Sequence, residues 1–238
     1  MMETQHDPDD RFAYSRTALA RLALAAELRE LADRAAAGVP TTRDMWAHPG
    51  EAVSDALGLV AQAQEVLVRA VVYERQKHTS WETVGERLEV TRQSAHAKYK
   101  QAVAEWGLAV QEPFYPAPEG GARAQRLPEA AYAPTRTGRD LDAWARIHVP
   151  EEQDTDRPVT GHLPALTLAE EMVQVLDALK HLYRDMYTPP DPAARARLTE
   201  RKAALLDRIA VEDGRPEAAI QASEARIVAA QLRADAEQ

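Results

Sequence analysis

Residues 79–106 read TSWETVGERLEVTRQSAHAKYKQAVAEW, and this stretch decides the fold. Thr79 and Glu82 have the spacing of a capping box: a hydroxyl for the free N–H groups of a helix start and a glutamate three residues on. Trp81, Val84 and Leu88 recur at helical spacing and form one apolar face. Gly85 follows Val84, where two steeply crossing helices need a small side chain. Val90 is expected to plug the turn. Thr91 then caps a second helix that opens Arg92-Gln93-Ser94. Ala95, Tyr99 and Val103 recur on its inner face, which leaves Arg92, Gln93, His96 and Lys100 pointing outward. A helix that reads DNA requires this division, with small residues inside and hydrogen-bonding and cationic groups outside near its N-terminus.

The run SWETVGERLEVTRQSAHAKY resembles the helix-turn-helix of bacterial regulators related to sigma-factor region 4, with their W-x-x-[IV]-[GA]-x-x-L-x-[VI]-[ST]-R-Q-[AS]-[AV] core. The match covers about 30 of 238 residues. The resemblance implies that Thr91, Arg92, Gln93, Ser94 and His96 face double-stranded DNA, with Lys98 and Lys100 near phosphates. It departs at the turn, where Glu89 stands at a position often held by Gly. A non-glycine residue in a left-handed conformation costs about 1 kcal/mol.

Charge is distributed in keeping with that expectation. The chain carries a formal net charge of −9, which argues against a general coat of positive charge for nucleic acid. Yet residues 69–100 hold seven cations (Arg69, Arg75, Lys77, Arg87, Arg92, Lys98, Lys100) against four acids (Glu74, Glu82, Glu86, Glu89). That window is +3, so the remainder carries −12. A locally basic module on an acidic protein favours a specific site over bulk DNA. The excess of Arg over Lys, with abundant Ala, matches high-GC bacterial coding sequence.

Around this module the periodicity predicts an all-α chain. A helix is expected over 12–37, stopped by Gly38 and Pro40, and another over 51–77 after the connector TTRDMWAHPG, with Thr42 as a candidate cap. The second is double-faced. Val53, Leu57, Val60, Gln64, Leu67 and Val71 form one stripe, and Ala52, Ala56, Leu59, Ala63, Val66 and Ala70 form another. A helix apolar on two sides is expected to be buried on two sides, here between the first helix and the helix-turn-helix, with Gln64 half-exposed. The N-terminal domain then spans 1–111.

Eight prolines and Gly120-Gly121 mark 112–165 as an extended linker. Within it, 140–149 is expected to form a short helix docking through Leu141, Trp144 and Ile147. Residues 166–238 return to helical patterning. Thr167 and Glu170 form a capping box, and Asp191 caps a helix that Asp213-Gly214 ends. Pro216 opens the last helix. Met172, Val175, Leu179, Leu182 and Met186 follow a heptad stripe. It is expected to be the seam of a homodimer, with packing inside its own chain as the rival.

Other chemistries find little footing. With no Cys, there are no disulfides, cysteine nucleophiles or thiolate metal sites. Asp177, His181 and Asp185 share a helical face, but the ordinary polar face of an amphipathic helix explains them, and no metal or other cofactor is expected. Glu170-Glu171 lie in a first turn, where acids favour the helix dipole. No nucleophile elbow, phosphate loop or dinucleotide fingerprint is present, and no enzymatic activity is expected. No uncharged apolar stretch reaches membrane-spanning length, and the acidic start MMETQHDPDDRF is not a signal peptide, so a cytoplasmic location is expected. The sequence therefore predicts a sequence-specific bacterial DNA-binding protein, a transcriptional regulator. The alternatives are a helical protein–protein adaptor without DNA binding, and a plasmid or phage replication or partition protein.

Overall fold

The computed structural model describes residues 9–42, 48–115, 124–183 and 191–236. Among these the chain is all-helical and forms two compact units, residues 1–165 and 166–238. The first unit contains α1 (Arg16–Ala37), α2 (Glu51–Gln76), α3 (Trp81–Arg87), α4 (Arg92–Gln111), α5 (Glu129–Tyr132) and α6 (Pro134–His148). The second contains α7 (Leu168–Leu182), α8 (Pro192–Glu212) and α9 (Pro216–Ala236).

The first helix starts later than its apolar run implies. Residues Asp10–Ala13 form a short 3-10 turn, and Ser15 caps α1 by accepting from the Ala18 N–H at 3.0 Å. The same Ser15 hydroxyl, fully buried, donates to the Pro164 carbonyl at 3.0 Å. One side chain thus starts a helix and anchors the far end of the unit. Gly50 caps α2 from a left-handed conformation, and Thr42 does not.

Two cores share α2 and α4. The larger holds Leu19, Ala20 and Ala23 of α1, Val72 of α2, Trp106, Ala109 and Val110 of α4, and Leu127, Ala130 and Ala131. The smaller holds Val71 of α2, Val84 of α3, and Ala95 and Tyr99 of α4, with Val68, Trp81 and Leu88 packed against it. Each large buried aliphatic side chain stabilises by roughly 1.5–3 kcal/mol. Adjacent valines of α2 therefore serve different cores, and α4 is held near both ends.

The expectation of an extended linker over 112–165 is corrected by this packing. Its described residues, 112–115 and 124–165, belong to the first unit, and Leu127 and Ala131 are among its most buried side chains. Pro116, Pro118, Gly120 and Gly121 lie outside the described residues. Helix α6 spans Pro134–His148, longer than predicted, and turns Gly138, Leu141, Asp142 and Ala145 inward. Ile147 is exposed, and Trp144 is tethered through an indole N–H donated to Asp33 Oδ1 at 2.9 Å. The buried Asp142 carboxylate accepts from the Val159 N–H (2.8 Å), the Thr160 N–H (2.9 Å) and the Thr160 hydroxyl (2.5 Å). Three donors on one carboxylate fold a proline-containing loop back onto the helix. Proline there shapes turns and helix starts instead of spacing domains apart.

Two-sided burial of α2 is also corrected. One side meets α1, where Gln62 donates to Glu27 at 2.6 Å and Arg69 stands 3.7 Å from the same carboxylate. Burial lifts that carboxyl above its usual range, more than Arg69 lowers it. The other stripe is buried only at Val71, and Gln64 is exposed with the rest of it. By length and hydropathy α2 also reaches what a membrane span requires, although Asp55, Glu65 and Arg69 lie along it.

In the second unit Val175, Leu198 and Leu205 form the core, with Leu168, Ala178, Leu179, Leu182 and Ile209 against it. Val175, Leu179 and Leu182 thus pack within their own unit, which corrects their assignment as a dimer seam. Met172 faces away from that core and is exposed. Met186 and Asp185 lie outside the described residues. Helices α8 and α9 approach through Ala203, Ala218, Ala222, Ala225 and Ala229, all buried, as small side chains permit. The boundaries read from Asp191 and Gly214 hold: Asp191 accepts from the Ala193 and Ala194 N–H groups, and Gly214 turns the chain at φ +65°.

Candidate functional site

The site is built on α3, α4 and the turn between them. Helix α3 is capped by Ser80, whose Oγ accepts from the Thr83 N–H at 3.1 Å. The cap is therefore one residue later than the capping-box reading of Thr79 and Glu82. Thr79 is occupied elsewhere: its hydroxyl donates to Glu74 Oε2 at 2.6 Å, closing the turn between α2 and α3. Thr91 caps α4 as expected, accepting from the Ser94 N–H at 3.2 Å, and the two hydroxyls lie 2.9 Å apart.

The turn itself depends on Gly85 and Glu89. The Val90 N–H donates to the Gly85 carbonyl at 2.9 Å. A Cβ on Gly85 would stand 2.9 Å from the Val90 carbonyl oxygen and 3.2 Å from the Arg92 nitrogen. Only glycine admits the backbone this closely. Glu89 takes the left-handed conformation at φ +56°, so the turn keeps its shape without a glycine there. Val90 does not plug it and is exposed, while Leu88 packs against Val84, Ala95 and Tyr99 instead.

Thr91, Arg92, Gln93, Ser94, His96, Lys98 and Lys100 are all exposed. At 100° per residue, Gln93, His96 and Lys100 fall within about 60° of one another on α4. Lys98 departs about 140° away from Gln93, with its Nζ 5.2 Å from the Tyr99 ring centre. The structure therefore collects Gln93, His96 and Lys100 on one face, with Arg92 at the helix start, and leaves Lys98 on the flank. Arg92, Gln93 and Lys100 make no side-chain hydrogen bond or ion pair among the described residues.

His96 is held by Trp81, edge to face with ring centroids 5.2 Å apart, and Arg75 lies over the same indole at 4.8 Å. Arg75 also donates to the Thr79 carbonyl. Sequence reasoning assigned Trp81 to the core and missed this stack. Arg75 reaches Trp81 only because the chain reverses between α2 and α3, with His78 at φ +64°.

Glu74 ties the same reversal together electrostatically. The Thr79 hydroxyl holds its carboxyl below the usual carboxylate range, outweighing the opposing effect of burial, and Lys77 with its Nζ at 3.1 Å adds to the lowering. A carboxylate with a depressed folded-state pKa contributes stability above its unfolded pKa and loses it as pH falls through the folded one. Thr79→Val should therefore lower the stability of the first unit by about 1 kcal/mol at neutral pH, small because both groups are partly solvated. The gap between wild type and variant should close as thermal melts are taken down through the carboxylate range. A gap independent of pH would assign the effect to shape instead of charge.

The second unit offers a different concavity of about 590 Å³ between α7, α8 and α9, with Leu179, Leu182, Leu206 and Val228 among its lining and Arg195 and Lys202 at its wall. Among the described residues no group of three His, Asp or Glu is placed to hold a metal. Comparison of the chain with protein-family models, with characterised proteins and with solved structures finds no match.

Proposed function

We propose that this protein binds double-stranded DNA sequence-specifically through a helix-turn-helix formed by α3 and α4, and that it regulates transcription in the cytoplasm of a bacterium. One observation carries the reading. The inner face of α4 is locked in two cores while its outer face presents Arg92, Gln93 and Lys100 without a side-chain partner among the described residues. Long polar side chains kept on a rigid helix and left unpaired are suited to an external partner that supplies acceptors. DNA supplies them as guanine O6 and N7, adenine N7 and phosphate oxygens. Thr91 and Ser94, already satisfied by the cap, place the helix N-terminus where its free N–H groups favour a phosphate.

The test is selection of bound sequences from a random duplex library, followed by affinity measurements on the enriched site. Arg92→Ala or Gln93→Ala should each cost about 1–3 kcal/mol on that site and little on random DNA. Lys100→Ala should weaken binding to all sequences alike and reduce the salt slope by about 1. The absence of any enriched sequence would overturn the reading in favour of a protein–protein adaptor, which the exposed apolar stripe of α2 also suits.

A further inference from the structure

We infer that two copies of this chain associate antiparallel through the exposed stripe of α2, centred on Val60. Val53, Leu57, Val60 and Leu67 are 65%, 65%, 55% and 37% exposed. Their spacing is that of a heptad seam, with Val53, Val60 and Leu67 at d positions, and Leu57 and Gln64 at a positions. The flanking e and g positions are Ser54, Ala56, Ala61 and Ala63, small enough for close approach. All nine of these residues are exposed, and none is charged, on a chain of net charge −9. The charged residues Asp55, Glu65 and Arg69 all lie at b or f positions, on the other side of the helix. A solvated face would not exclude charge in this way, whereas a buried one must.

The occupant is a second copy because the stripe is self-complementary in one register. With Val60 on the two-fold axis, Val53 meets Leu67 of the partner subunit, and Leu57 lies level with Ala63 of the partner subunit, one residue from Gln64 of the partner subunit. The seam from 53 to 67 is about 21 Å long at 1.5 Å per residue. Buried on both copies with its alanine flanks, it gives an interface on the order of 1,000 Å², the threshold for a specific association. The stripe continues into Val71, which is covered by α3 and α4 of the same chain. A parallel pair would bring both of those helix pairs to the same end, between the two seams. An antiparallel pair sends them to opposite ends.

The antiparallel register also sets a distance. Val71, against which Ala95 and Tyr99 of α4 pack, lies eleven residues from Val60. The two Val71 positions therefore stand about 33 Å apart along the seam, close to the roughly 34–36 Å between half-sites one DNA turn apart. This spacing argument, and no other part of the inference, rests on the DNA-binding reading.

The chain contains no cysteine, so single introduced thiols report the register directly. Light scattering on the full chain at tens of micromolar should give twice the monomer mass of 26.3 kDa. Leu57→Glu should give a monomer of unchanged helicity, since Leu57 supports no core. Under mild oxidation Val60→Cys should cross-link, whereas Val53→Cys should not, because its copies stand about 21 Å apart and a disulfide spans under about 7 Å. The double variant Val53→Cys/Leu67→Cys should cross-link again. Cross-linking of Val53→Cys alone would overturn the antiparallel register. A wild-type monomer would overturn the inference, including one that pellets with lipid vesicles in a Leu57-dependent manner. A monomer that still binds one DNA half-site overturns the dimer and leaves the DNA-binding reading intact. A cross-linked dimer without sequence preference does the reverse.

Discussion

Gly85→Val is expected to destabilise the first unit by about 3 kcal/mol and to lower its melting temperature by about 10 °C. A side chain at 85 meets the Val90 carbonyl oxygen at 2.9 Å and the Arg92 nitrogen at 3.2 Å. Both neighbours are backbone, so neither can rotate away. The obstruction would have to be relieved by prising the end of α3 from the start of α4. That would break the Val90 N–H to Gly85 carbonyl bond and disturb the packing of Val84 against Ala95 and Tyr99. The higher helix propensity of valine relative to glycine returns only a few tenths of a kcal/mol. All four tryptophans lie at or before position 144, so tryptophan fluorescence, excited selectively over tyrosine, follows this unit alone. A melt within 2 °C of wild type would mean that the turn repacks at little cost. On the proposed DNA-binding reading, sequence-specific affinity should fall with this variant even at temperatures where the unit remains folded, because the angle between α3 and α4 changes.

Leu127→Ala should have an effect of similar size, about 3 kcal/mol, by the opposite route of creating a cavity. Leu127 is fully buried among residues of α1, α2, α4 and α5. Ile147, twenty residues on and exposed, is the internal control, and Ile147→Ala should change stability by less than about 0.5 kcal/mol. Were 112–165 an extended linker, both substitutions would be silent in tryptophan fluorescence melts. Equal small effects would therefore overturn the packing of this segment, and a large difference between the two would support it.

The contrast between Leu127 and Trp81 shows what was legible in the sequence. The helices at 16–37, 51–76, 92–111, 168–182, 192–212 and 216–236 were readable because apolar periodicity and breakers agree there, although the starts of the first two are capped by Ser15 and Gly50 and not where the sequence pointed. The α3–α4 pair was readable down to Gly85, because a small residue at a crossing is a local requirement. The packed segment 124–165 was not. Its proline content signals irregular backbone, and irregular backbone is equally consistent with a spacer and with a loop pinned by one carboxylate. Asp142 makes the difference, and its partners at 159 and 160 are seventeen and eighteen positions away. The stripe on α2 was read correctly as apolar and wrongly as buried, since periodicity identifies a face without identifying what covers it. The same limit misdirected the seam at 172–186. A heptad pattern satisfied by α8 within the same unit looks no different from one satisfied by another subunit. Among the candidate contact residues, the grouping of Gln93, His96 and Lys100 follows from helical spacing alone, and the same spacing sets Lys98 on the flank, which its pairing with Lys100 as a phosphate contact had overlooked. The clamp of Arg75 and His96 on Trp81 required knowing how the chain turns at His78.

Helix α4 runs through both cores, with Ala95 and Tyr99 in one and Trp106, Ala109 and Val110 in the other. For binding, this arrangement matters through entropy. A reading element that orders only on contact gives up part of its interaction energy to lost backbone freedom, and a flexible side chain held in place costs about 0.5–1.5 kcal/mol more. On the DNA-binding proposal, the backbone of α4 is already fixed by folding, so that loss is taken before any ligand arrives. What remains to be ordered is a short set of side chains, chiefly Arg92, Gln93 and Lys100. A surface prepared in this way discriminates through the geometry of a few contacts and has little capacity to adapt to a poor match. If the proposed DNA binding holds, its selectivity should therefore show as slow release from the right site and rapid release from every other.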